Sequence, residues 1–335
     1  MEFVYQKKLL IMRVSMASEI NVLAHELNRI SEMNRRTRDF TLNSLRRALV
    51  EFIALFPVYR TYVDGWRAEL DVRDVQYIEW TLQRAKERNT TTNASIFDFL
   101  RDILLGRYPE HVGDDEKAVM LRFAMKLQQV TGPVMAKGLE DTVFYIYNRL
   151  VSLNEVGGEP EHFGMRATTF HLRNQERAER WPASMLTSST HDTKRSEDVR
   201  ARINVLTELP EAWREQVRTW ADLTRPFVSH LPTGPAPSSN DVYLFFQTVV
   251  GAWPMGGQVP QAELQEFHRR VREYMGKAIK EAKVRTSWTN PDGAYDDAVA
   301  QFVDACFDPA KAQDFLDGVK AFKRRIERAG QHNAL

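Results

Sequence analysis

Residues 185–198 read Met185-Leu186-Thr187-Ser188-Ser189-Thr190-His191-Asp192-Thr193-Lys194-Arg195-Ser196-Glu197-Asp198. Met185–Thr190 is a short strand candidate that runs directly into His191-Asp192, with a helix predicted to follow. Nowhere else in the chain does a strand lead so naturally into a loop bearing a histidine, a carboxylate and two cations. A structural reading stands beside the functional one. Asp192 or Thr193 can cap the following helix, and Lys194 can pair with Asp198 one turn on.

Outward from this stretch the chain reads as helix on both sides. Upstream, apolar residues recur at helical spacing from Phe3 through Val22, Leu23 and Leu27. Thr41 is a plausible cap for a helix carrying Leu42, Leu45, Ala48, Leu49, Phe52 and Ile53. Pro57 biases Phe56 away from helix, and the β-branched and aromatic run to Val63 predicts an extended stretch. Helices are expected at about 71–88, at 94–105 behind an Asn93 cap, and at 114–130. Thr131-Gly132-Pro133 reads as a breaker and Gly157-Gly158-Glu159-Pro160 as a loop. Downstream, helices are expected at about 193–206, 210–222, 239–252, 261–285, 293–306 and 310–328, with a linker or exposed loop at Leu231–Ser239. No solenoid repeat is visible. The divisions are 1–130, 131–208 and 209–335, and the class is mainly α.

Composition excludes several functions. Hydrophobic residues make up 43% and charged residues 27% of 335, an ordinary globular balance. Lysine and arginine number 46 against 45 acids, so the net charge of +1 gives no reason to expect nucleic acid. No apolar run approaches the roughly 18 residues of a membrane span. The single cysteine, Cys306, cannot close an internal disulfide or begin a cysteine zinc site, and reads as a buried core residue. A cytoplasmic location is expected. The opening residues Met1–Arg13 lack a signal peptide's long apolar stretch and read as the middle of an amphipathic helix. A chain that opens without a cap predicts a piece of something longer.

A second run carries chemistry: Lys137-Gly138-Leu139-Glu140-Asp141-Thr142-Val143-Phe144-Tyr145-Ile146-Tyr147-Asn148-Arg149. Sugar rings lay their C–H faces on aromatic rings and present hydroxyls to acids, so Lys137, Glu140, Asp141, Phe144, Tyr145 and Tyr147 suit a carbohydrate. The structural alternative is a helix start, with the acids favoured by the dipole and the aromatics buried. Around the first run, Asp192 and His191 can likewise hydrogen-bond sugar hydroxyls, with Lys194 and Arg195 beside them. The eight histidines show no metal-ligand spacing, and no phosphate loop, nucleophile elbow or dinucleotide fingerprint occurs. No metal or organic cofactor is expected. The tryptophans, such as Trp66, Trp80 and Trp253, are scattered and read as core or groove residues.

At these two runs the sequence resembles the maltooligosyltrehalose synthases of the α-amylase superfamily. Further matching blocks are Arg38–Arg46, Phe56–Tyr62, Leu150–Gly158 and Glu281–Pro291. The resemblance implies an enlarged (β/α)8 barrel with helical insertions. It makes 1–130 and 209–335 insertion subdomains, and 131–208 a partial barrel around the sixth and seventh strands. It implies that Asp192, after the seventh strand, is the third catalytic carboxylate, and that His191 is its neighbouring sugar contact. Lys137–Tyr147 is expected to line glucan subsites. The implied reaction is a retaining intramolecular transglucosylation. The reducing-end α-1,4 bond of a maltooligosaccharide is exchanged for an α,α-1,1 bond.

The segments bearing the nucleophilic aspartate and the acid/base glutamate are expected before residue 1, so the chain alone is expected to be inactive. Two other readings stand beside this one. One is a non-catalytic helical module that binds glucan or protein. The other is an enzyme completed by a separate chain that brings the remainder of the barrel, with exposed apolar surface as the interface.

Overall fold

The computed structural model describes residues 2–66, 69–110, 112–257 and 259–335; Met1, with which the first predicted helix opens, lies outside them. The described residues are mainly helical, as expected. In chain order they form α1 (Glu2–Val14), α2 (Ala17–Glu32), α3 (Leu42–Leu55), α4 (Val72–Arg88), α5 (Ala94–Leu104) and α6 (Asp114–Met135). Then come α7 (Ala167–Arg180), α8 (Glu197–Asn204), α9 (Pro210–Thr224), the strands β1 (Ser229–Leu231) and β2 (Gly234–Ala236), and α10 (Ser239–Ala252). The chain closes with α11 (Gln261–Ala282), α12 (Gly293–Phe307) and α13 (Pro309–Ala334). Packing divides it into two units, Met1–Val143 and Phe144–Leu335.

In the first unit, caps and apolar period agree. The Thr41 hydroxyl accepts from the Ser44 N–H at 3.3 Å and opens α3. Leu45, Ala48, Leu49, Phe52 and Ile53 then share one buried face. Phe56, held extended before Pro57, ends the helix. Asp71 and Asn93 start α4 and α5 in the same way. α2 lies against α3 and α6, α4 lies against α3 and α5, and the core runs through Leu23, Leu27, Leu49, Phe52, Phe97 and Phe123. The predicted extended stretch is anchored at Val63. Its N–H donates to Gln128 Oε1 at 2.7 Å, and its carbonyl accepts from Gln128 Nε2 at 2.8 Å. One side-chain amide thus does the work of a neighbouring strand.

Thr131-Gly132-Pro133 does not break the chain. α6 runs through it and continues as a π-helical turn, Ala136–Glu140, closed by the Asp141 N–H on the Ala136 carbonyl at 3.0 Å. Pro133 forfeits one hydrogen bond, but Val130, Thr131, Val134 and Met135 are all buried around it and hold the helix in place. Residues 131–143 therefore pack within the first unit, while 144–208 share a core with 209–335.

The second unit is built on aromatics. Trp213, Trp220, Phe245, Phe246, Phe302, Phe315 and Phe322 interlock, mostly edge to face, as in the 5.3 Å Phe245–Phe302 pair. α13 lies along α8, α9 and α12, and α11 lies along α12. The expected linker Leu231–Ser239 is instead mostly a hairpin. Leu231 pairs with Gly234, β2 ends at Ala236, and Ser238 caps α10. Proline, glycine and serine mark linkers and tight turns alike, so their composition could not separate the two. Gly234, at φ +115°, takes a backbone shape that side chains disfavour.

The strand expected at Met185–Thr190 is not formed. The segment is irregular, and Met185 is 97% exposed. A strand exists only through its ladder, and none of the described residues pairs with this one. The predicted helix at 193–206 opens late, at Glu197 behind Ser196, so neither Asp192 nor Thr193 is its cap. No helix is predicted where α7 lies, and α7 buries none of its side chains.

Candidate functional site

Residues 190–193 close on themselves. The Thr193 N–H donates to the Thr190 carbonyl at 3.2 Å, and the Thr190 N–H donates to Thr193 Oγ1 at 2.7 Å. The Asp192 N–H donates to Thr190 Oγ1 at 3.2 Å. This tight turn lifts His191 and Asp192 to its apex. Their side chains are 91% and 69% exposed, with His191 Nε2 3.3 Å from Asp192 Oδ2. The predicted loop is therefore present and its two principal residues are neighbours, though no strand stands behind it.

The base of the loop is held from another segment. Both carboxylate oxygens of Glu155 accept from the Lys194 N–H at 3.1 Å, and Oε2 also accepts from the Arg195 N–H at 3.4 Å. Oε1 takes the Val156 N–H at 2.9 Å, and Arg200 Nε lies 3.7 Å from Oε2. Next to it, Asn154 Nδ2 donates to the carbonyls of Phe144 at 2.8 Å and Tyr147 at 2.9 Å. The turn that carries both residues needs glycine. A Cβ on Gly158 would sit 2.7 Å from the Glu155 carbonyl oxygen and 2.8 Å from that of Leu153. Arg195 reaches away to α11, where its guanidinium donates to Tyr274 Oη at 2.5 Å and lies over the ring. The backbones of the two candidate runs thus meet on a single turn.

The remaining candidates divide at the unit boundary. Lys137, Glu140 and Asp141 belong to the first unit, at the C-terminal end of the long helix, not at a helix start as the structural reading had it. Acids there oppose the helix dipole. Lys137 offsets Asp141 with a 2.7 Å ion pair, and the Tyr59 hydroxyl donates to Glu140, which is only 6% exposed. Gly138 seats this turn against Lys8, whose Cα would lie 3.2 Å from an added Cβ. Lys8 is itself buried and donates to the Phe56 carbonyl at 2.6 Å; burial lowers its ammonium to about 7. Phe144 and Tyr145 are buried in the second unit, and Tyr147 is half-buried. Sequence reasoning assigned no role to Asn154, Glu155, Tyr59 or Tyr274. The paired glycines at 157 and 158 were the available signal for the first two.

Trp253 is a core residue, whereas Trp80 lines a cleft of about 330 Å³ with Gln83, Lys86, Asp98 and Arg101. Asp98 is neutralised there by Lys86 at 2.6 Å and Arg101 at 2.8 Å. Among the described residues no cluster of three or more histidine, cysteine or acidic side chains could hold a metal ion, and no helix is long and apolar enough to cross a membrane.

No protein-family profile matches the chain. Solved structures do share its fold. The maltooligosyltrehalose synthase of Arthrobacter ramosus matches 99% of this chain with 37% of its own, at a TM-score of 0.75 and 30% identity. A hypothetical maltooligosyl trehalose synthase from Sulfolobus tokodaii matches 98% with 37% of its own, at 0.69 and 28%. A curated Mycobacterium tuberculosis protein named maltooligosyl trehalose synthase is 45% identical over 199 residues, which are 59% of this chain and 24% of that protein. The chain is similar in sequence and fold to maltooligosyltrehalose synthases and spans about a quarter of the length of the curated relatives it matches.

Proposed function

We propose that this chain supplies the Asp192 carboxylate and the surrounding loop to a glucan site. In that site the reducing-end α-1,4 bond of a maltooligosaccharide becomes an α,α-1,1 bond by intramolecular transglucosylation. The observation that carries the reading is the Thr190–Thr193 turn, which presents His191 and Asp192 side by side at its apex in a chain similar to these synthases. Asp192 accepts hydroxyl protons of the distorted sugar, and His191 donates to a neighbouring hydroxyl. A retaining exchange also needs a carboxylate nucleophile and an acid/base about 5 Å apart on the scissile bond. Asp192 fills neither role, so the 335 residues alone do not turn substrate over. Residues 185–190 would join a barrel only when strands lie beside them. Phe163, Met165, Phe170, Leu172, Trp181 and Leu186, all exposed, support a covering partner that brings the rest of that barrel.

The test follows loss of reducing ends from maltopentaose. The chain alone should be silent, and the chain mixed with the upstream segment of a full-length relative should be active. In that mixture Asp192→Asn should lower turnover at least about 100-fold, the scale of losing one transition-state-stabilising group. Turnover by the chain alone, or an Asp192→Asn mixture as fast as the parent, would refute the assignment. Glucan binding indifferent to Asp192→Asn would favour a non-catalytic binding module.

A further inference from the structure

We infer that Glu155 is a positioning residue that fixes the His191–Asp192 loop through the loop's backbone, resting for its functional meaning on the glucan reading of Asp192. The geometry is specific. A carboxylate has acceptor capacity on both oxygens and no donor. Glu155 uses both, taking the N–H groups of Lys194, Arg195 and Val156, with the Arg200 guanidinium close to Oε2. The two N–H groups on the loop lie immediately after Thr193, where the self-closed turn ends. The turn fixes its own shape, and Glu155 fixes where that shape stands.

The neighbouring residue performs the matching task on the other candidate run. Asn154 holds the carbonyls of Phe144 and Tyr147, and the two residues share the tight turn that Gly158 permits. The Asn154-Glu155 pair is therefore a joint. It registers the backbone of 144–147 against the backbone of 194–195, with no side chain of its own at the loop apex. Helix α8, which follows the loop, adds Arg200 to the joint, and its packing on α13 ties the whole to the core. Such an arrangement places Asp192 without touching what Asp192 touches.

The test separates this inference from the reading on which it rests. Amide hydrogen exchange on the full chain reads the clamp directly. Glu155→Ala should speed exchange at Lys194 and Arg195 tenfold or more, with trypsin cleavage after both accelerated in parallel. Glu155→Gln, which keeps the shape but offers one acceptor oxygen, should fall between the two. Exchange in α11 and α12 should be unchanged. Unaltered exchange at 194 and 195 in both variants overturns the inference whatever glucan does.

A binding titration with maltopentaose reads the consequence. Glu155→Ala should weaken affinity several-fold in the parent chain and have no further effect on Asp192→Asn, the mark of acting through that residue. Equal losses in both backgrounds would show mere structural damage and overturn the positioning role. If Asp192→Asn leaves affinity intact, the glucan reading fails, and the exchange result still decides the clamp.

Discussion

Lys8 shows how much one residue can set. It is 2% exposed with the Phe56 carbonyl as its hydrogen-bond acceptor, and burial lowers its ammonium from 10.5 to about 7. The folded chain therefore holds fewer protons than the unfolded one between those values. Stability should rise with pH from about 7 toward 10.5, by up to roughly 1.4 kcal/mol per unit, and Lys8 should add no slope below about 7. Lys8→Met keeps the apolar stem and should remove this slope, which urea midpoints for the two chains near pH 7.5 and 9.5 would show. Parallel curves would mean that Lys8 stays charged when folded. At this scale the sequence was partly legible. The Thr41 and Asn93 caps could be read because a cap acts on its own helix. Glu155 could not, since the loop N–H groups it holds lie about forty residues away.

Among elements, legibility followed the range of the forces. The helices of the first unit and those from α9 onward stand close to their expected places because period and caps are local. The failures were elements decided elsewhere in the chain. α6 crosses Pro133 because burial on both sides outweighs one lost bond. Met185–Thr190 has strand-like residues and no ladder. Helix contact gives a sharp prediction here. Gly330 in α13 faces α8, where an added Cβ would lie 2.8 Å from the Arg202 Cα, while Gly276 in α11 faces open space. Gly330→Ala should destabilise by about 1–3 kcal/mol through overpacking. Gly276→Ala should stabilise by up to about 1 kcal/mol through helix propensity. Chemical denaturation would measure both, and equal shifts would contradict the close α8–α13 approach.

For the molecule as a whole, packing gathers into two cores, one in each unit. Phe245 stands at the centre of the second, with Phe246, Phe302, Phe307 and Phe315 around it. Phe245→Ala should lose about 3–5 kcal/mol, and protection of the α2 amides in the first unit should be unaffected in exchange under native conditions. Loss of protection in both units together would show one cooperative core. The solvent-facing stretch from Phe163 to Leu186 bears on how the protein behaves in a tube. Its apolar side chains sit on a chain whose formal charge is only +1 at neutral pH, so little long-range repulsion opposes colloidal attraction. Light scattering at rising concentration should show clustering near neutrality that fades at mildly acidic pH, as the net charge grows and the molecules begin to repel.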